Sequence, residues 1–344
     1  MDISLLTNKQ NAAYDQFLLS LDGSLFYQSL QHKRFIEELL GCNGHYLLAT
    51  EDGTIRGALP LMKTLGKYGT VYNSLPYYGS NGGVIAVDQE AYQRLRDTYN
   101  RLARAEDTAG STLIETPQLP GTGTGIVHDL TDTRIGQWTE IGFENDAGAK
   151  LMQAFHYKTR NMIRKAAKSK VDVDIDNSQI DFLRQLHREN MSAIGGKAKP
   201  DRFFNLIDKH FSKEKDYDIF IARKGGAPIG ALLVFYFNKT VEYYMPVVKV
   251  DSRTYQPLSL IIHQAMVESA RRGYKYWNWG GTWLTQEGVF RFKKRWGTIN
   301  REYHYHIAIN NKNIYRATQE EMLANYDYFY VIPFKLLETN HETH

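Results

Sequence analysis

Short runs of apolar and alternating residues recur along this chain at a separation of 173 residues, from Ala49, Gly53 and Gly57-Ala58-Leu59 to Ala222, Gly226 and Gly230-Ala231-Leu232. In each copy an apolar run (Tyr46–Ala49; Ile219–Ala222) meets a glycine-containing turn and a second run opening Gly-Ala-Leu. That pattern predicts a β-hairpin. The first hairpin leads to a predicted strand near Gly69–Asn73, a helix from Glu90 to about Glu106, Gly110, and a strand Thr112–Glu115. The second leads to a strand Thr240–Val248, a helix Leu258–Arg272, Gly273, and a strand Tyr276–Trp279. The helices rest on stripes at helical spacing: Tyr92, Leu95, Tyr99, Leu102 and Ala103, then Leu258, Ile261, Ile262, Ala265 and Met266. Pro257 suits a helix start, and Gly110 and Gly273 suit left-handed stops. A repeat this long predicts a duplicated domain rather than a solenoid, and strands alternating with helices predict a mixed α/β layer fold.

The length, 344 residues, allows two domains with a core each. The composition changes after Gly142–Gly148, which places the boundary there: a first domain over 1–147 and a second over 148–310. A hydrophobic fraction of 42% with 23% charged residues excludes global disorder. No run of about 18 apolar residues suggests a membrane span, and Met1-Asp2-Ile3-Ser4 does not open a secretory signal. The lone cysteine, Cys42, follows Leu39-Leu40-Gly41 and reads as a packed side chain, which suits a reducing, cytoplasmic compartment.

Charge changes the picture locally. Between Ala147 and Val171 stand Lys150, Lys158, Arg160, Arg164, Lys165, Lys168 and Lys170, with no acidic residue among them. Leu151, Phe155, Met162, Ile163 and Ala166 run through the stretch at near-helical spacing, predicting one amphipathic helix with a basic face. Such a face suits the phosphates of a nucleotide, an RNA or an anionic lipid; a solvated linker helix is the alternative.

The order strand, hairpin, strand, helix, strand resembles the GNAT acyltransferase fold, so two tandem GNAT-like domains are implied, each a mixed, mostly antiparallel sheet flanked by helices. The basic segment Lys158–Ala166, Trp279-Gly280-Gly281, Phe292-Lys293-Lys294-Arg295-Trp296-Gly297 and Ser74-Leu75-Pro76-Tyr77-Tyr78-Gly79 together resemble the Fem family. The similarity runs from about Phe26 to Ile309. It implies transfer of an amino acid from aminoacyl-tRNA to an amine of a cell-wall precursor, with Lys293 in the acceptor or tRNA channel stabilising negative charge. It also implies that residues 311–344 return to the first domain, for which Met322, Leu323, Tyr326, Phe329, Tyr330 and Phe334 supply an apolar face. Poorly characterised relatives tied to surface-polysaccharide synthesis share the architecture.

An ordinary GNAT domain cradles the coenzyme A pyrophosphate on a glycine-rich loop before its central helix. Val250–Ser259 and Val84–Gln89 stand at those places and contain no glycine, which disfavours acetyl-CoA in the usual pose. The expected donor is therefore aminoacyl-tRNA or, alternatively, acyl-CoA or acyl carrier protein, with no tightly bound cofactor. The expected acceptor is a nucleotide- or lipid-linked sugar or peptide; tRNA and a transient membrane contact are further candidate partners. The third reading is non-catalytic, a double module binding nucleic acid or an anionic surface.

Acyl transfer needs a proton acceptor for the amine and a donor for the oxyanion. On Thr240–Val248, Glu242 and Tyr244 share one face and Tyr243 the other, so Glu242, Tyr244 and Lys293 are the candidate catalytic residues. Glu242 also fits an exposed edge strand. Lys293 also fits a solvated basic run with Arg291, Lys294 and Arg295, and in an extended segment Lys294 would face away from it. Candidate substrate-binding residues are Arg202, as a phosphate clamp, Arg160 and Arg164 on the basic helix, and Tyr77, Tyr78, Tyr243, Trp279 and Phe292 as ring-stacking or lining groups.

Other motifs point nowhere chemical. Gly121-Thr122-Gly123-Thr124-Gly125 lacks the Gly-Lys-Ser/Thr ending of a P-loop. His304 and His306 share a strand face without a third metal ligand nearby in sequence, so no metal is expected. His341-Glu342-Thr343-His344 has the wrong spacing for a zinc-protease helix.

Overall fold

The computed structural model describes residues 1–77, 81–119, 121, 123–143 and 146–337; Tyr78 and the terminal 341–344 lie outside them. The chain divides into two compact units, 1–136 with 301–344, and 137–300. In chain order the first unit holds β1 (Asp2–Leu5), α1 (Asn11–Ser20), α2 (Leu30–Leu40), β2 (Asn43–Gly44), β3 (Leu47–Glu51), β4 (Thr54–Leu59), β5 (Met62–Gly66), β6 (Gly69–Asn73), β7 (Ile85–Ala86), α3 (Gln89–Ala103) and β8 (Thr108–Ile114). β9 (Leu130–Glu140) carries the chain onward. The second unit holds α4 (Ala147–Ala154), α5 (Tyr157–Lys168), β10 (Val171–Ile175), α6 (Ile180–Ser192), α7 (Asp201–His210), β11 (Tyr217–Lys224), β12 (Ala227–Phe237), β13 (Thr240–Val248), α8 (Pro257–Arg271), β14 (Tyr276–Trp283) and α9 (Glu287–Lys294). β15 (Ile299–Ile309) returns the chain, and α10 (Gln319–Asn325) follows in the first unit.

The two hairpins share a register. Ala49 stands opposite Gly57 and Ala222 opposite Gly230, and each ladder is irregular at the next residue. Both glycines exist for close approach. A Cβ on Gly57 would lie 3.2 Å from the Ile85 carbonyl oxygen and 2.9 Å from Leu95 on α3. One on Gly230 would lie 3.1 Å from the Val247 carbonyl oxygen and 3.5 Å from Ile261 on α8. In each copy the central helix presses its apolar stripe onto the hairpin across a residue without a side chain.

In the second unit β10, β11, β12 and β13 pair antiparallel in that order and β14 joins β13 in parallel. The first unit departs from this plan. Its hairpin lies in a sheet ordered β1-β3-β4-β7, whereas the parallel pair β6–β8 belongs with β5, β2 and β15. Gly57 and Ala58 pair with Ala86 and Ile85 on β7, as Gly230 and Ala231 pair with Val248 and Val247 at the end of β13. The counterpart of β13 is thus split into β6 and β7 by residues 74–84, the segment carrying Pro76 and Tyr77.

Three local expectations are corrected. The single basic helix is two: Phe155 and His156 are extended, and the His156 N–H donates to the Arg295 carbonyl at 2.9 Å, a tertiary bond that outcompetes helical continuity. Gly273 does stop α8 with φ +90°, but Gly110 lies within β8. Lys293 and Lys294 are helical, on α9, so they diverge by about 100° rather than facing opposite ways. The segment after β15 packs within the first unit, where Tyr326 donates to the Gly69 carbonyl (2.9 Å) and Asn73 donates to the Tyr330 carbonyl (3.0 Å).

Candidate functional site

The second unit's sheet opens at one place. β13 and β14 pair over Thr240–Tyr276, Val241–Trp277 and Glu242–Asn278, and their ladder ends there. β13 continues beside β12 to Val248, while β14 runs on through Gly280-Gly281 to Trp283. Glu242 and Asn278 close the last rung with their side chains: Asn278 Nδ2 donates to the two carboxylate oxygens at 3.0 and 3.3 Å. Glu242 is 1% exposed on an interior strand, so the exposed-edge alternative fails.

A bulge then redirects β13. Leu233 pairs with Met245 and Val234 with Tyr243, leaving Tyr244 without an opposite residue. The Tyr244 ring stacks on Phe203 of α7 (5.8 Å, 4° between planes) and meets Phe235 edge-on at 4.9 Å. Lys199 places its ammonium over the Phe203 and Tyr244 rings, at 4.9 and 5.1 Å. Burial lowers that ammonium to about 7. Burial also raises the Tyr244 hydroxyl above its ordinary range, with Glu242 adding to the shift. Tyr243 turns the other way, 4.8 Å from Trp279 and 6.1 Å from Trp277, and burial raises its hydroxyl too.

Lys293 reaches the same opening from α9. It is 6% exposed, and its Nζ donates to Thr282 Oγ1 (2.8 Å) and to the Gly281 and Gly280 carbonyls (3.0 and 3.5 Å). No carboxylate is among these partners, and desolvation lowers its pKa to about 7. The Gly280 N–H donates to Asn278 Oδ1 at 3.0 Å. Glu242, Asn278, the Gly280 backbone and Lys293 therefore form one connected polar chain. Thr282 extends it by donating to Gln137 Oε1 at 3.2 Å. The solvated-run alternative for Lys293 fails, whereas Lys294 beside it is exposed.

The remaining candidates are dispersed. Trp279 donates its indole N–H to Thr139 Oγ1 (2.9 Å) and meets Phe292 edge-on at 6.1 Å, both against Trp296 in the core. Arg160 donates to the Phe155 and Met152 carbonyls at 2.6 and 3.5 Å, capping the end of α4. Arg164 is exposed on α5 and Arg202 is exposed in the first turn of α7. Tyr77, in the first unit, is buried with φ +66° and its N–H donates to the Tyr328 carbonyl at 2.8 Å. His306 Nε2 lies 2.9 Å from Glu115 Oε1, and among the described residues no group of three or more His, Cys, Asp or Glu side chains could hold a metal.

Sequence reasoning passes over Asn278, Thr282, Gln137 and Lys199. Asn278 does leave a signal, as a polar residue between Trp277 and Trp279 in a buried strand, where its amide requires a partner. Before α8 the chain makes a short 3-10 turn, Val250–Tyr255, and Gln256 adopts φ +60°. The N–H groups of Ser252, Gln256 and Ser259 donate to the chain's own Lys249, Arg253 and Gln256 carbonyls.

Residues 153–294 match the model of the Acetyltransferase (GNAT) domain. No curated protein matches the sequence. Among solved structures, FemX is similar with TM-score 0.69 at 16% identity, over 92% of this chain and 99% of that one. A conserved protein of unknown function from Bacteroides thetaiotaomicron is similar with TM-score 0.57 at 11% identity, over 90% and 100%. The C-terminal domain of a putative lysylphosphatidylglycerol synthetase from Agrobacterium fabrum is similar with TM-score 0.54 at 11% identity, over 92% and 95%. The chain therefore has the fold of FemX, built from two GNAT-like units of mixed, mostly antiparallel sheet and flanking helices, and its second unit is an acyltransferase domain of the GNAT type.

Proposed function

We propose that this protein is a Fem-like N-acyltransferase, moving an aminoacyl or acyl group onto an amine of a nucleotide- or lipid-linked cell-wall or surface-polysaccharide precursor. The observation that carries the reading is the buried chain Glu242–Asn278–Gly280–Lys293 at the end of the β13–β14 ladder. It offers a carboxylate and an ammonium, held apart by a peptide, beside a gap in a sheet.

In this scheme the acceptor nitrogen attacks the ester or thioester carbonyl, and its proton passes to the Glu242 carboxylate. The oxyanion that forms meets the Lys293 ammonium in a desolvated setting, where a charge-assisted donor is most effective. Collapse breaks the bond to the leaving oxygen or sulfur, which takes a proton from Tyr244. The raised Tyr244 hydroxyl keeps that proton at neutral pH, and the proton held by Glu242 then restores it. Arg202 and the α5 arginines are the proposed phosphate contacts.

Aminoacyl-tRNA is the favoured donor. Before α8 the segment Val250–Ser259 has no glycine, and its Ser252, Gln256 and Ser259 N–H groups are spent on the chain's own carbonyls, which argues against coenzyme A in the usual pose. The deciding assay supplies labelled aminoacyl-tRNA or acyl-CoA with nucleotide-linked amino-sugar and peptide acceptors, with and without ribonuclease. Transfer that ribonuclease abolishes supports the tRNA donor; transfer from acyl-CoA that ribonuclease leaves intact assigns the other donor. Turnover with neither donor supports the non-catalytic reading.

A further inference from the structure

Two backbone carbonyls, reached through a buried amide and a buried hydroxyl, decide what Lys293 meets. Gln137 and Thr282 are both 0% exposed. Gln137 Nε2 donates to Asn300 Oδ1 (2.8 Å), Thr298 Oγ1 (3.4 Å) and the Phe290 carbonyl (3.4 Å). Asn300 Nδ2 in turn donates to the Thr298 carbonyl at 3.3 Å. A carbonyl only accepts, so the Thr298 carbonyl turns the Asn300 oxygen toward Gln137, and the Phe290 carbonyl requires an N–H from Gln137. Flipping either amide would set oxygen against oxygen. Gln137 therefore presents Oε1 to Thr282, which donates its one hydroxyl proton there at 3.2 Å.

What Thr282 has left for Lys293 is a lone pair, 2.8 Å from Nζ. The other partners of Nζ are the Gly281 and Gly280 carbonyls, at 3.0 and 3.5 Å. Among the described residues these partners are acceptors only. They suit the three hydrogens of an ammonium and offer nothing to the lone pair of a neutral amine. Burial works the other way, lowering the Lys293 pKa to about 7. Nearby charge does little to offset it: β14 carries no carboxylate or cation, and Glu287, Arg291 and Lys294 of α9 are exposed. Glu242 is joined to Lys293 only at a remove, through Asn278 and Gly280.

We infer that Thr282 and Gln137 are positioning residues for Lys293: they hold it as an ammonium at the end of the β13–β14 ladder. A hydrogen bond accepted from the charged form favours that form, and here the acceptor is fixed in its polarity by groups behind it. The Gly280 carbonyl is the longest of the three contacts, so the N–H aimed at it is the one a developing oxyanion takes over at least loss. The inference deepens, and in its catalytic consequence rests on, the reading of Lys293 as the oxyanion donor.

The experiment labels the lysines of the full chain with carbon-13 at Cε and follows the Lys293 resonance, assigned with Lys293→Met, from about pH 5 to about pH 10. Thr282→Val keeps the shape and removes the lone pair. Its Lys293 midpoint should fall by about one pH unit or more, because the charged form loses an acceptor. Thr282→Ser should restore the midpoint. Gln137→Leu frees the Thr282 proton to turn toward Nζ, so the midpoint should fall there too. At neutral pH, kcat in Thr282→Val should drop about tenfold or more with KM little changed, and Thr282→Ser should recover it. A midpoint in Thr282→Val that stays or rises overturns the inference, as does a fall that Thr282→Ser does not reverse. Melting temperatures check the fold of each variant. Should Thr282→Val or Gln137→Leu not fold, the wild type decides: at about pH 6, nitrogen-15 spectra of the lysine side chains should show Lys293 as an ammonium protected from exchange with water. A neutral amine at that pH overturns the inference. The titration needs no acyl donor. Absent transfer with the expected midpoints sinks the acyl-transfer reading alone, and transfer with unmoved midpoints sinks this inference alone.

Discussion

Asn278 holds Glu242 by both carboxylate oxygens, at 3.0 and 3.3 Å, while its own side-chain oxygen accepts from the Gly280 N–H. One buried amide thus orients the carboxylate and sets the backbone that Lys293 grips. If Glu242 takes the amine proton, Glu242→Gln should lower turnover about a hundred- to ten-thousandfold, the usual value of general base catalysis. Asn278→Ala removes a hydrogen-bond partner from a buried carboxylate and should cost about 1–3 kcal/mol of stability, read from urea midpoints. Near-normal turnover in Glu242→Gln would assign the proton to another acceptor.

Lys293 should matter to rate more than to binding. Lys293→Met keeps much of the apolar stem but loses the charge; turnover should fall about a hundred- to a thousandfold with a smaller change in KM. Lys294→Met, at the exposed neighbour, should change little. Equal, small losses at the two positions would remove Lys293 from the chemistry.

The pH dependence of Lys293 has a definite sign. Burial sets its pKa at about 7, below the ordinary 10.5, so the ammonium is lost as pH rises through about 7. A rate term that needs the cation should decline over that interval. Stability moves oppositely. The unfolded chain holds the proton more tightly, so this residue destabilises the fold below about 7 and the penalty lifts as pH climbs toward the unfolded value. The stability of wild type relative to Lys293→Met should therefore rise between about pH 7 and pH 10, by at most about 1.4 kcal/mol per pH unit. Parallel stability curves would show that Lys293 titrates normally.

The two arginines on helix starts separate by their contacts. Arg160 bonds the Phe155 and Met152 carbonyls, so Arg160→Ala should lower the melting temperature. Arg202 is exposed, so Arg202→Ala should leave melting unchanged. If Arg202 contacts an acceptor phosphate, the dissociation constant should rise about ten- to a hundredfold in calorimetry. Unaltered affinity would eliminate that role.

The amino-acid pattern by itself determined the two hairpins, their central helices and the duplicated order of elements. Those features follow from periodicity within ten to fifteen residues, whereas the close approach of helix to sheet at Gly57 and Gly230 came from the structure. The tertiary structure decided what local pattern cannot encode. Arg295 breaks the basic stretch at Phe155–His156 by accepting a bond from a residue 139 positions earlier (295 − 156 = 139). The bulge at Tyr244 depends on how β12 and β13 pair, which strand alternation alone does not reveal. Lys293 looks like one more cation in Arg291–Arg295, and only the fold of α9 against β14 buries it on the Gly281 carbonyl and Thr282. Burial and partner choice belong to contacts distant in sequence, and these join an ordinary lysine and a strand glutamate into one connected polar chain.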